Sequence, residues 1–198
     1  MNFSASELVK KSASQIVYIT SKQIKTIITP RQHIGDTYAK SIIKQEKASE
    51  EKRGIIKINE DSLYFCIDMV KNNIFTEIKM INGTFENWYF ESSILQATFY
   101  ATLLSKVKTL DTPQFRLKEG FKREEIKVPK DFQFQLWFGK EKYEVFQNEK
   151  VFDFYIDKIK SIKLSLENEN YDAVKQFDSD FKHKEFEYLK PEYRKIQN

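Results

Sequence analysis

The chain holds one cysteine, two histidines, four prolines and five glycines among its 198 residues. A lone Cys66 excludes an internal disulfide and any zinc or iron–sulfur centre built from several thiolates. So few glycines and prolines exclude collagen-like and linker-like classes. No apolar run approaches the roughly 18–20 residues of a membrane span. The opening MNFSASELVKKS places Glu7 and early lysines where a signal peptide needs an unbroken apolar stretch. These absences lead to the expectation of a soluble intracellular protein. A strong excess of one charge is also lacking: 33 basic residues stand against 29 acidic ones, a net +4. That balance is compatible with nucleic acid and is weak support for it by itself.

What is present is a globular composition, 40% hydrophobic with 15% aromatic and 31% charged residues. The length suits one compact domain with a substantial core and is short for two. Ser4 and Glu7 have capping-box spacing, which predicts a helix from Ala5. Val17-Tyr18-Ile19 precedes a second possible start, and Thr29-Pro30 marks a third, with proline at the first helical position. Ile34, Tyr38 and Ile42 form an apolar stripe on that third helix. Lys44 to Arg53 reads as a solvated helix end. From Gly54 the period changes, and GIIKINEDSLYFCIDMV and IFTEIKMI read as strands. Asn82-Gly83 is a turn signal, and Ser92 or Ser93 is a candidate cap for the helix SILQATFYATLLSKV. FRLKEG, EIKVP, FQFQLWFG and KYEVFQN read as further strands, and Val151 to Leu166 as an amphipathic helix. The tail to Asn198 is expected to be helical in part. No internal repeat or domain boundary is visible. The expected architecture is α/β, with a central mixed sheet flanked by helices.

Within this pattern, CIDMVKNNIFTEIKM is anomalous. Asp68, Glu77 and Lys79 interrupt runs that otherwise resemble buried strands, where charges are expensive unless paired or holding an ion. If Asn72-Asn73 forms a two-residue turn, partners have numbers summing to 145, and Asp68 faces Glu77 on the side that also carries Lys79. Two carboxylates ~5 Å apart at an effective dielectric of ~20 repel by roughly 3 kcal/mol. A raised pKa, a nearby lysine or a divalent cation relieves that. An edge hairpin with a polar outer face and a Lys79 salt bridge is the plain alternative. A three-residue loop would separate the acids onto different faces.

The order Asp68, then Glu77-Ile78-Lys79, then Gln96 and Tyr100 at i and i+4 of one helix resembles the PD-(D/E)XK nuclease superfamily, in its RecB-like and phage-exonuclease branch. The opening FSASELVKKS also resembles the start of RecB-like domains. The order of elements matches over roughly residues 3 to 165, with the specific motifs confined to 68 to 100. The resemblance implies a restriction-endonuclease-like core over 1–198, with a helical N-terminal part (1–53) and a helical C-terminal extension (151–198). It implies Mg²⁺ or Mn²⁺ held by Asp68, Glu77 and the backbone carbonyl of Ile78, with Asp68, Glu77 and Lys79 catalytic. Gln96 and Tyr100 would orient the lysine or contact DNA. The implied activity is hydrolysis of DNA phosphodiesters, as an exonuclease of recombination, repair or phage DNA processing, in the cytoplasm of a bacterial or phage-infected cell. DNA is the implied partner. Several relatives act as rings or within larger assemblies, so a protein partner or homo-oligomer is compatible, and a membrane is not expected.

One departure matters. The family carries a glycine followed four residues later by Glu or His, a further metal ligand; here Gly35 is followed by Ala39. His33, Asp36 and Glu46 are the candidate replacements. The gap keeps two alternatives open: a catalytically inactive nucleic-acid-binding or assembly subunit, and an RNA endonuclease. Trp88-Tyr89-Phe90 suits either core packing or stacking on unpaired bases. The basic run from Arg116 to Lys127 suits phosphates or a solvated strand edge. Cys66 reads as a buried small hydrophobe.

Overall fold

The alternation of residues 133–138 becomes a strand with two unlike faces: Phe134, Leu136 and Phe138 are buried, while Gln133, Gln135 and Trp137 are not. This strand lies in a computed structural model that describes residues 1–23, 30–49, 51–81, 87–120, 122–181 and 184–197; for residues 30–33 and Phe115 it describes the backbone alone. In chain order the elements are β1 (Asn2–Ser4), α1 (Ala5–Lys10), α2 (Ala13–Ser21), α3 (Pro30–Glu46), β2 (Lys52–Ile58), β3 (Asp61–Ile67), β4 (Met69–Lys71), β5 (Ile74–Lys79) and α4 (Asn87–Ser105). Then follow β6 (Thr109–Asp111), α5 (Gln114–Lys118), β7 (Glu125–Lys127), β8 (Gln133–Phe138), β9 (Glu141–Val145), α6 (Glu149–Glu167), α7 (Asp172–Phe181), α8 (Glu185–Leu189) and β10 (Tyr193–Lys195).

The strands form two mixed sheets where one central sheet was expected. The first runs β1-β3-β2-β6-β7, with β1 parallel to β3; the second runs β10-β9-β8-β5-β4, with β5 parallel to β8. The division has a local cause. β3 and β4 are one run of chain broken only at Asp68, where the backbone bends out of the first sheet and into the second. Between the sheets lies α4. Every residue from Ser93 to Leu104 is buried, as expected of a helix packed on all sides. It touches β2 and β3 of one sheet, β8 and β9 of the other, and α1, α6 and α8. Phe65 of β3 presses so closely on Gly54 of β2 that an added Cβ would lie 2.2 Å from the ring. The close approach requires glycine, and it lets Phe65 reach Tyr100 on α4 at 5.9 Å between ring centroids.

Several local expectations are corrected. Ser4 precedes α1 but makes no side-chain cap, its hydroxyl being engaged with Ser6 at 3.1 Å. The complete capping box is Ser12 with Gln15, at 3.2 and 3.0 Å, opening α2, in whose interior Val17-Tyr18-Ile19 lies. α3 does begin at Pro30, while Thr29 lies outside the described residues, as does the Asn82-Gly83 turn. On α3, Tyr38 and Ile42 pack on Ile43, Met69 and Ile78, whereas Ile34 is exposed. The solvated helix end expected to reach Arg53 stops at Glu46, and β2 already begins at the buried Lys52. Ser92 and Ser93 cap nothing: they lie inside α4 and donate to Tyr89 O at 3.1 and 2.7 Å. FRLKEG is helical, because Pro113 favours a helix start and its carbonyl accepts from Arg116 and Leu117. The 1–53 segment contains β1 and the start of β2, and the 151–198 segment ends in β10, the edge strand of the second sheet. No helix among the described residues is long and apolar enough to cross a membrane.

Candidate active site

The Asn72-Asn73 turn is two residues long, with Asn72 in the left-handed region (φ 56°), and it sets Lys71↔Ile74, Val70↔Phe75 and Met69↔Thr76. Regular pairing stops there because Asp68 is the residue at which the chain bends. Its carboxylate takes the place of a backbone carbonyl: Oδ2 accepts the Ile78 amide at 2.8 Å. In a strand, the N–H and C=O of one residue point to the same edge. Lys79 turns its carbonyl to β8, where Gly139 N donates to it at 2.9 Å. Ile78, one residue earlier, therefore turns both its N–H and its C=O to the Asp68 edge.

Glu77 is 4% exposed. Gln96 Nε2, from α4, donates to its Oε1 at 2.8 Å, and Lys79 Nζ donates to the same oxygen. Among the described residues, Glu77 Oε2 and Asp68 Oδ1 accept no hydrogen bond. Burial, and then the charge of Glu77, hold the Asp68 carboxyl well above the usual carboxylate range; Lys79 and the Ile78 amide oppose this only in part. For Lys79, burial works to lower the pKa, but Glu77 and then Asp68 outweigh it, so the ammonium lies above the ordinary lysine range. Tyr100 is buried at 3% exposure beside Phe65 and Gln96; burial, reinforced by Glu77, keeps its phenol well above its ordinary pKa. It stands where it can support Gln96, one helical turn away, and presents no surface to a strand of DNA. Gln96 too is buried, but it borders an open cleft of about 600 Å³.

No group of three or more His, Cys, Asp and Glu side chains placed to hold an ion occurs among the described residues. What converges instead is two carboxylates, each with an unengaged oxygen, and the Ile78 carbonyl. That donor set fits a hard cation which keeps water and phosphate oxygens in its shell, the habit of Mg²⁺ and Mn²⁺. Ala39 packs in the apolar cluster of Ile43, Met69 and Ile78 and offers no ligand. Asp36 is exposed on α3. Glu46 is engaged by Lys71 at 2.8 Å, a hydrogen bond that holds its carboxyl below the usual range. The His33 side chain lies outside the described residues.

No family model matches the chain, and no curated protein matches it. Among solved structures, the crystal structure of SSO0001 is similar over 65% of this chain and 68% of that chain, at 19% identity and a TM-score of 0.44. A likeness that loose carries no argument about fold or chemistry.

Two residues near the site were not singled out in the sequence. Ser49 bridges Val70 and Lys52 pairs with Ile67, so Glu51 stands opposite Asp68. It is ion-paired with Arg116 at 3.1 Å, yet burial raises its pKa despite that partner, and its charge is felt at Asp68 and Cys66. The register would have located Glu51 had the Asn59-Glu60 turn between β2 and β3 been recognised. Lys10, at the end of α1, lines the same cleft as Lys79 and Gln96. The nearby Lys79 charge lowers its pKa. No spacing motif links it to the acids. Elsewhere, Arg116 is buried between Glu51 and Glu119, and Arg123 pairs with Asp111, so two of the five basic residues of that run are paired internally. Burial pushes the Cys66 thiol up to about 12, far from nucleophilic use.

Proposed function

We propose that the chain is a metal-dependent nuclease hydrolysing DNA phosphodiester bonds, as an exonuclease of recombination, repair or phage DNA processing. The observation that carries this reading is the convergence of Asp68, Glu77 and the Ile78 carbonyl beside an ammonium, with Gln96 bound to Glu77. The restriction-endonuclease-like reading of the core rests on the motif order and on this arrangement. Asp68, Glu77 and Ile78 would hold Mg²⁺ or Mn²⁺, which when bound supplies an acidified water and neutralises developing charge. Lys79, an ammonium paired with Glu77, would serve as a donor that steadies the attacking water or the phosphate oxygens. Gln96 fixes Glu77 so that Oε2 is presented, and Tyr100 supports Gln96. Linear DNA incubated with Mg²⁺ or Mn²⁺ should be degraded, and Lys79→Ala should reduce the rate by at least about 100-fold. Intact single- and double-stranded DNA in both metals would overturn the reading.

The missing ligand at Ala39 favours a second reading, a relative that binds nucleic acid or a protein partner without turnover. It predicts salt-sensitive DNA binding that Asp68→Ala leaves unchanged. RNA substrate in the same metals separates an RNA endonuclease from both.

A further inference from the structure

The cleft beside Gln96 has a charge imbalance. Three lysines line it: Lys10, Lys11 and Lys79. Lys11 is paired with Glu7 at 2.5 Å, and Lys79 with Glu77. Lys10 makes no ion pair with any described residue, shares the cleft with Lys79, and feels the Lys79 charge more than any other influence. Two ammonium groups sharing a cleft repel unless an anion joins them. The backbone that carries Lys10 is anchored. Lys158 Nζ grips the end of α1 through Leu8 O and Lys11 O at 2.7 and 2.6 Å, and Asp178 holds the start of α2 through Ala13 N and Ser14 N at 2.8 and 2.9 Å. Another wall is aromatic. Trp88 is 60% exposed at the start of α4 and meets Tyr89 edge-on at 5.9 Å, and Tyr89 is seated on Phe138 at 5.6 Å.

From this juxtaposition we propose that the cleft is a subsite for one unpaired nucleotide of a polynucleotide strand, its phosphate held by Lys10 alongside Lys79 and its base laid on the Trp88–Tyr89 wall. The inference rests on the nuclease reading of the neighbouring acids, which the same phosphate would approach. A space of about 600 Å³ accommodates a single nucleotide and is far too small for a duplex. Glu91 and Glu185 also line the cleft and disfavour a phosphate elsewhere in it. A base has an apolar face whatever its identity, so this wall selects for an unpaired strand and not for sequence.

The test is binding without turnover, by fluorescence anisotropy of labelled ten-residue single strands, DNA and RNA in parallel, in chelator. Lys10→Gln and Trp88→Ala should each weaken binding about tenfold, and Trp88→Phe should recover most of the loss because the phenyl ring still stacks. Lys10→Gln should also lower the slope of log affinity against log salt by about 0.7, the contribution of one phosphate contact on a single strand. A blunt duplex should bind more weakly and be indifferent to Trp88→Ala. A change below threefold in either variant, or a duplex that binds as tightly as the single strand, overturns the proposal. Both side chains are solvent-accessible at the cleft wall, and unchanged thermal unfolding verifies that the variants fold. The comparison of DNA with RNA tells which sugar the subsite accepts. Should wild-type protein cleave nothing while Lys10- and Trp88-dependent binding persists, the nuclease reading fails and the subsite stands.

Discussion

Asp68 accepts the Ile78 amide through one oxygen and lies beside a buried acid, Glu77, whose charge Lys79 pairs. Stability alone would not select that arrangement, since burial and the neighbouring Glu77 charge both penalise an ionised Asp68. Asn in place of Asp68 keeps an oxygen for the Ile78 amide and deletes the charge, leaving Lys79 paired with Glu77. Asp68→Asn should therefore raise the free energy of unfolding by about 1–2 kcal/mol in metal-free buffer at neutral pH, and under the proposed nuclease reading it should also abolish cleavage, the trade found where a site is built against stability. Urea unfolding in chelator measures the first part. A destabilised variant would mean that the charge is compensated by Lys79 in full.

At the scale of elements, the α1–α2 corner is held by a buried lysine, Lys158, and a half-buried aspartate, Asp178, that meet backbone groups. Lys158 is 3% exposed, and burial lowers its amine from 10.5 to about 8, with Glu185 and Asp178 offsetting only part of that. Below pH 8 the amine is charged in both states and the full penalty is present. Between about 8 and the unfolded value the unfolded chain holds more protons, so stability rises with pH. At 1.36 kcal/mol per pKa unit, the rise is roughly 3 kcal/mol. Lys158→Gln retains a donor for Leu8 O and Lys11 O but cannot titrate. Unfolding curves from pH 7 to 10.5 should climb for the wild type relative to Lys158→Gln, and parallel curves would place the amine in water. This corner also marks what the sequence hides. Ser4-x-x-Glu7 and Ser12-x-x-Gln15 look alike as caps, and only the second closes, because Ser4 is drawn to Ser6. The alternation of β8 and the register across Asn72-Asn73 were legible, since both depend on neighbours in the chain. The two-sheet division was not: Asp68 announces a misplaced charge, but nothing adjacent to it encodes a bend. Glu51 likewise resembles a solvated helix end until β2 is paired with β3.

For the whole molecule, the site falls where the two sheets meet. Glu51 leads into β2 of the first sheet, Asp68 is the bend between the sheets, Glu77 and Lys79 belong to β5 of the second, and Gln96 sits on a helix that touches both. A cation held by Asp68 and Glu77 would tie the sheets together, and its binding free energy would become folding free energy. Mn²⁺ at about 100 times its dissociation constant should add about 2.7 kcal/mol to the unfolding free energy. Chelator should reverse the gain, and Glu77→Gln should lose it relative to its own metal-free baseline. With Trp88 replaced by Phe, Trp137 fluorescence follows β8 in the second sheet, and far-UV circular dichroism follows both sheets and the helices. The two probes should shift together if the ion braces the junction, and a shift seen by fluorescence alone would confine it to the second sheet. An unchanged midpoint in Mn²⁺ would leave Glu77 satisfied by Lys79 and Gln96, and the non-catalytic reading would then take precedence.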